Sequence, residues 1–227
     1  MSADKKLTLY TAKRCPFAHR TEIILNEVGA KFERVEIDLD NKPEWYKDVN
    51  PDLKVPALIL DGTKLAESFV IVQLISDLYP EQGLLPSDPV QRAQIRFAVE
   101  LFGSKIPSHW YQYLSKFNDL EARQAYIDNI NAGFRRFNDL LLEQAPSGPY
   151  FLGSQYSLAD IAIAPFILRI EKFNRLYLDG LKFEAVEQLP RLKQFLEGIT
   201  QRPSAQATVL SDEKFIAWLD RFNIPRP

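Results

Sequence analysis

The stretch Leu7-Thr8-Leu9-Tyr10-Thr11-Ala12-Lys13-Arg14-Cys15-Pro16-Phe17-Ala18-His19-Arg20 sets how the rest of this chain is read. Leu7 to Tyr10 alternates apolar and polar residues, as a short strand with one covered face does. Lys13 to Pro16 reads as a loop that runs into a helix. Proline suits the first helical position, because its missing N–H would have no intrahelical partner there. Cys15 then falls on the N-cap. Ala18 to Val28 has helical composition, and Gly29 is a left-handed stop.

Further along, Phe32 to Leu39 alternates again and predicts a second strand. Lys42 to Asn50 predicts a short helical turn, broken by Pro51. Val55 to Leu60 is a strand entered through Pro56, and Asp61-Gly62 is a strong hairpin signal. Lys64-Leu65-Ala66 is the returning strand. Ser68 reads as an N-cap ahead of the apolar helix Phe69 to Leu78. Pro80 to Pro89 holds three prolines and one glycine, and composition changes across it. Beyond it the periodicity is helical over Val90–Leu114, Leu120–Glu143, Ala159–Phe173 and Leu189–Thr200, with a final amphipathic helix after Ser211. Ser157-Leu158-Ala159-Asp160 is a capping-box variant. The expected organisation is an α/β domain over 1–80, a linker over 81–89 and an all-α domain over 90–227.

The chain has 227 residues, with 46% hydrophobic and 26% charged, an ordinary globular balance. A chain this long buries roughly 70–75% of its unfolded surface and needs no disulfide or metal staple. The net charge of −2 leaves no basic footprint for nucleic acid. Cys15 is the one cysteine, so no intrachain disulfide forms, and with two histidines a structural zinc site is not expected. Met1 to Lys6 has no apolar signal core, and Ile161 to Leu168 is too short to span a bilayer. These features predict a soluble cytoplasmic protein of a reducing compartment, with no metal, no nucleic acid and no membrane partner.

An N-cap cysteine has a physical reason to react. The backbone N–H groups of Phe17 and Ala18 are expected to point toward its sulfur, and the positive helix end favours thiolate. Thiols so placed titrate at roughly 3.5–7.5 instead of about 8.5. Lys13 and Arg14 are expected to add positive potential. A dithiol oxidoreductase needs a second cysteine three positions on, where this chain has Ala18. Any mixed disulfide on Cys15 must therefore be resolved by an external thiol.

Arg14-Cys15-Pro16-Phe17-Ala18-His19-Arg20, Asn41-Lys42-Pro43-Glu44-Trp45, Val55-Pro56 and Glu67-Ser68 resemble, in order and spacing, the omega class of glutathione transferases. The likeness extends over essentially the whole chain. It implies a thioredoxin-like N-terminal domain followed by an all-α C-terminal domain, the glutathione transferase fold. It also implies glutathione as co-substrate and Cys15 as the catalytic nucleophile. Phe17, Lys42, Val55, Glu67 and Ser68 would bind glutathione. Val55 would pair its backbone with the cysteinyl part across a cis Val55–Pro56 bond. Ser68 would meet the γ-glutamyl carboxylate at a helix N-terminus. Glu67 would meet the γ-glutamyl ammonium, and Lys42 the glycine carboxylate. Tyr10, near the place where other classes keep a catalytic tyrosine, reads as structural.

The second domain is expected to supply the acceptor site, with Trp110, Tyr111, Phe166, Arg169, Phe173 and Trp218 as candidates. An aromatic stripe at helical spacing equally fits a core. Two functions follow from the resemblance. One is a glutathione-dependent thiol transferase that deglutathionylates small molecules and reduces dehydroascorbate. The other is a ligandin that holds apolar aromatic molecules without turnover. A homodimer is implied by the resemblance alone.

Overall fold

Leu7–Thr11 forms strand β1 and Pro16–Glu27 forms helix α1 in a computed structural model that describes residues 6–227. β1 is central in a four-stranded sheet of order β2-β1-β3-β4, where β2 is Glu33–Glu36, β3 Ala57–Leu60 and β4 Thr63–Ala66. β2 runs parallel to β1, with Thr8 opposite Glu33 and Thr11 opposite Glu36. β3 is antiparallel to β1, with Leu58 opposite Leu9, and β4 is antiparallel to β3. Asp61 and Gly62 both have positive φ, 47° and 88°, as a two-residue hairpin loop requires. A central strand is covered on both sides, so Thr8 and Thr11 are buried along with Leu7 and Leu9.

β2 is shorter than the alternation predicts. It ends where its ladder with β1 ends. The Ile37 N–H still donates to the Thr11 carbonyl at 2.7 Å, and the chain then turns as the Asp40 N–H bonds to Asp38 Oδ1 at 2.9 Å. The expected helical turn is a 3-10 segment, Glu44–Asp48. Helix α2, Ser68–Leu78, packs on α1.

The chain divides into two compact units, one ending at Leu85 and the other starting at Pro86. The second unit is helical. The pattern over Val90–Leu114 is two helices rather than one: α3, Pro89–Lys105, and α4, Pro107–Leu114. Pro107 has no N–H to give and its ring clashes with the preceding turn, so the chain breaks at Ile106. Asp88 caps α3 by accepting from the Val90 and Gln91 N–H groups. α5 is Leu120–Gln144, capped by Asp119. α6 is Leu158–Tyr177, one turn longer than expected. α7 (Glu184–Gln188) and α9 (Pro203–Gln206) are too short to carry a readable period. α8 is Pro190–Gln201 and α10 is Asp212–Leu219.

The capping box at Ser157 forms as expected. Asp160 is fully buried and accepts from the Phe151 N–H at 2.7 Å, the Ser157 N–H at 2.7 Å and the Ser157 hydroxyl at 2.8 Å. Arg191 on α8 is also buried, and donates to the carbonyls of Ala145, Gly148, Tyr150 and Phe151. Asp160 and Arg191 hold the 145–157 connection onto α6 and α8. Among the described residues no helix is long and apolar enough to cross a membrane.

Candidate functional site

Cys15 sits on the N-cap of α1 with extended backbone, φ −85° and ψ 118°, and Pro16 fills the first helical position. The Cys15 carbonyl accepts the first helical bond from the His19 N–H at 3.0 Å. The Cys15 N–H is held by the Ala12 carbonyl at 2.8 Å. The sulfur is half-buried and 3.7 Å from the Val55 carbonyl oxygen, to which the thiol donates. It packs against the cluster formed by Ala12, Ala18, Tyr46, Val55 and Ala57. The cap makes no side-chain hydrogen bond to the α1 N–H groups, so the expected pointing of the Phe17 and Ala18 N–H groups at the sulfur is not realised as a cap bond. What remains is the position at the helix end, where partial positive charge favours thiolate.

Arg14 does not add to that charge in the way the sequence suggests. Its guanidinium is paired with Asp40 at 2.5 Å and approaches Asp38 at 3.8 Å. The acidic turn after β2 compensates it. The loop is anchored by the Lys13 N–H, which donates to Glu36 at 2.8 Å. Beneath it, buried Glu22 on α1 accepts from the Thr11 hydroxyl at 2.6 Å and pairs with Arg34 at 2.8 Å. Burial raises the Glu22 carboxyl above its ordinary pKa, against the pull of Thr11 and Arg34.

Val55–Pro56 is cis. The residue just ahead of it is braced twice, since the Lys54 carbonyl accepts from the Tyr46 hydroxyl at 2.7 Å and from Asn50 Nδ2 at 2.9 Å. Nothing in the sequence marks Tyr46 and Asn50 for this role. A polar residue in a short irregular segment carries no signal until its distant acceptor is in place. Tyr10 packs its ring 5.8 Å from Tyr46 and 6.1 Å from Trp45, as a structural residue does.

At the start of α2 the cap is Glu67, not Ser68, which is the first helical residue. Glu67 has φ 67° and ψ 112°, a conformation costly for a side chain with a Cβ and common at ligand-binding positions. Ser68 is buried, and its hydroxyl accepts from Arg20 Nη1 at 3.3 Å. The same guanidinium lies 5.2 Å from the centroid of the Phe17 ring, which is 44% exposed. Arg20 thus joins Phe17 to Ser68. Sequence patterning assigns it no role, because an arginine on α1 reads as a solvated charge.

The structure therefore brings together Cys15 with Val55, and Phe17 with Ser68. Glu67 is exposed beside Ser68. Lys42 is exposed in the loop ahead of Glu44–Asp48, and no contact ties it to Cys15, Val55 or Ser68 among the described residues.

In the second unit Trp110, Phe166, Phe173 and Trp218 are at most 4% exposed, which is a core placement. Arg169 is buried too and donates to the Pro165 carbonyl at 2.9 Å. Tyr111 is half-buried, with its ring 5.2 Å from Trp110 and 6.5 Å from both Trp218 and Phe222.

Residues 9–83 match the family model for the glutathione S-transferase N-terminal domain, and residues 93–208 match that for the glutathione S-transferase C-terminal domain. The chain is 28% identical over 217 residues to glutathione S-transferase omega-1 of Sus scrofa, covering 95% of this chain and 86% of that protein. Glutathione transferase Omega 1C of Trametes versicolor superposes with a TM-score of 0.83 at 38% identity, over 96% of this chain and 97% of that one. Omega 2S of the same fungus, solved with 2,4-dihydroxybenzophenone, matches with a TM-score of 0.76 at 28% identity, over 93% and 96% of the two chains. The chain belongs to the glutathione S-transferase family, in its omega class, and is a glutathione transferase.

Proposed function

We propose that this transferase works as a glutathione-dependent thiol transferase through Cys15. The Cys15 thiolate attacks the glutathione sulfur of a glutathionylated substrate. The new Cys15–glutathione disulfide forms as the old S–S bond breaks, and the substrate leaves as a thiolate that takes up a proton. A second glutathione thiolate then attacks the mixed disulfide, releasing oxidised glutathione and regenerating Cys15. Dehydroascorbate reduction draws its two electrons from the same pair of glutathione molecules. The observation that carries this reading is a lone cysteine on the N-cap of α1, 3.7 Å from the Val55 carbonyl beside a cis proline. Helix-end charge stabilises the thiolate both as nucleophile and as leaving group.

Glutathione is assigned to the first unit. Val55 supplies backbone pairing, Ser68 and its N–H meet the γ-glutamyl carboxylate, and Glu67 meets the ammonium. Phe17 forms the wall by the sulfur, and Lys42 reaches the glycine carboxylate once the ligand is bound. Among the acceptor candidates Tyr111 is the one with substantial exposed surface, so it is the residue assigned to acceptor contact. A cytoplasmic homodimer fits the family habit. The exposed apolar residues Val70 on α2 and Val90 and Phe97 on α3 are available for such an interface. The decisive experiment compares the parent with Cys15→Ser on a glutathionylated thiol, dehydroascorbate and a conventional electrophile. Loss of the first two activities in the variant supports the thiol-transferase reading, and their retention overturns it.

A ligandin role is the second reading, and the dihydroxybenzophenone complex of the related Omega 2S favours it. Tight binding of hydroxylated aromatic ketones to this chain, with negligible turnover in both parent and Cys15→Ser, would place it first.

A further inference from the structure

The peptide ahead of β3 is held by side chains rather than by the sheet. Strand pairing in β3 begins at Ala57, which stands opposite Tyr10 on β1 and Ala66 on β4. Val55 lies two residues before that ladder, yet its carbonyl is the one 3.7 Å from the Cys15 sulfur. The Lys54 carbonyl, one peptide earlier, accepts from the Tyr46 hydroxyl at 2.7 Å and from Asn50 Nδ2 at 2.9 Å. Both donor residues are buried, Tyr46 completely and Asn50 with 5% exposed.

The Lys54 carbonyl and the Val55 N–H belong to one planar peptide unit and point in opposite directions. Two hydrogen bonds on the Lys54 oxygen therefore fix the direction of the Val55 N–H. The donors are themselves anchored. Asn50 accepts the Asp52 N–H on Oδ1 at 3.1 Å and the Leu53 N–H on its carbonyl at 2.9 Å, and Leu53 takes φ 54° in that turn. The Tyr46 carbonyl accepts from the Val49 and Asn50 N–H groups at 3.1 and 3.0 Å. Tyr46 also belongs to the apolar cluster against which Cys15 packs. Its hydroxyl stays protonated and able to donate, because burial, with repulsion from Tyr10 and Cys15, raises it above the usual tyrosine range. The Asn50 bonds already close the turn, so what the Tyr46 hydroxyl adds is orientation of the Lys54–Val55 peptide.

We propose that Tyr46, with Asn50, is a positioning residue for glutathione: it aims the Val55 N–H at the cysteinyl carbonyl of the ligand, which rests on the Val55 pairing proposed above. The Tyr46 hydroxyl acts through the Lys54–Val55 peptide and not on the reacting sulfur. A strand-edge donor that is aimed before the ligand arrives needs no reordering on binding.

Titration calorimetry on the full chain tests it with glutathione and with a matched pair, γ-glutamylcysteinamide and γ-glutamylcysteamine. The pair differs in the carboxamide that carries the cysteinyl carbonyl. The parent should prefer the carboxamide at least roughly fivefold, the effect of one hydrogen bond. Tyr46→Phe keeps the ring and leaves Lys54 bonded to Asn50, so it should fold. It should weaken glutathione binding roughly three- to tenfold, raise KM by the same factor with a smaller effect on kcat, and reduce the carboxamide preference to about twofold. Asn50→Asp keeps the acceptor for the Asp52 N–H and loses the donor to Lys54. It should reduce the same preference, and it decides the matter should Tyr46→Phe fail to fold. A folded variant of either kind that keeps the parent's preference overturns the proposal, even where it binds both analogues more weakly, because a merely structural role weakens both alike. A parent that does not distinguish the analogues overturns the Val55 pairing itself, and the role of Tyr46 with it.

Discussion

Arg20 Nη1 donates to the Ser68 hydroxyl at 3.3 Å, joining the second turn of α1 to the first residue of α2. A serine hydroxyl that accepts from a guanidinium has its own proton left to donate. The positive charge behind it raises the potential where an anionic ligand group would meet the α2 N-terminus.

Arg20→Met is therefore expected to raise the KM for glutathione roughly tenfold or more, with a smaller effect on kcat. That corresponds to losing one charged hydrogen bond, about 1.5–3 kcal/mol. Arg20→Lys should recover only part of it, because an ammonium lacks the planar fork that spans Phe17 and Ser68. Steady-state kinetics with calorimetric glutathione binding reads the effect. An unchanged KM in a folded Arg20→Met would separate Arg20 from the ligand.

Cys15 has no second cysteine to resolve it. Incubation with oxidised glutathione should give a single adduct on the intact protein by mass spectrometry, and excess reduced glutathione should remove it. Cys15→Ser should take no adduct. Alkylation rates against pH should place the thiol below about 8.5, the value of an unperturbed cysteine. A rate profile centred at or above that value would leave the helix end without electrostatic effect on the sulfur.

Asp160 gives a stability signature. Burial pushes its carboxyl up to about 7, from an ordinary 3.8, despite the opposing bonds from Phe151 and Ser157. Between those two values the folded chain holds a proton that the unfolded chain has lost. This contribution is fully present below about pH 4 and is lost as pH rises through 7. Asp160→Asn should be less stable by about 2–4 kcal/mol, because its NH2 group faces buried donors. In a chain of this size that lowers Tm by roughly 5–15 °C. The gap between parent and variant should narrow from pH 5 to pH 8. A gap that widens over that range would contradict the raised pKa.

Gly198 lies inside α8, where alanine is ordinarily the better helix former by about 1 kcal/mol. Here the sign should reverse. A Cβ at this position would run into the Pro149 carbonyl and side chain, which lie directly against the helix. Gly198→Ala should cost about 1–3 kcal/mol, as overpacking does. Thermal unfolding measures it, and a rise in Tm would show that the 147–149 loop yields readily.

Local chemistry makes much of this molecule legible in advance. Pro16, Gly29, Asp61-Gly62, Asp88-Pro89 and Ser157–Asp160 act within a few residues of themselves, so their helix starts, stops and hairpin can be read directly. Cys15 on a helix N-cap follows from the same rules. The short helices α7 and α9 escape because four or five residues carry no period. The break at Ile106 is signalled by Pro107, a residue that interrupts a helix, although the apolar spacing continues through it.

The order of the longer elements, the cysteine at a helix N-cap and the family are written in the chain itself, because each rests on neighbouring residues or on motifs in line. Three-dimensional packing alone establishes that Arg20 serves Ser68, that Tyr46 and Asn50 hold Lys54, and that Arg14 is compensated by Asp38 and Asp40. It also puts Trp110, Phe166, Phe173 and Trp218 in the core. Those outcomes depend on which side chain meets which partner across tens of residues. A hydrogen bond or a desolvated charge has no counterpart in the spacing of a sequence until the fold brings its two ends together.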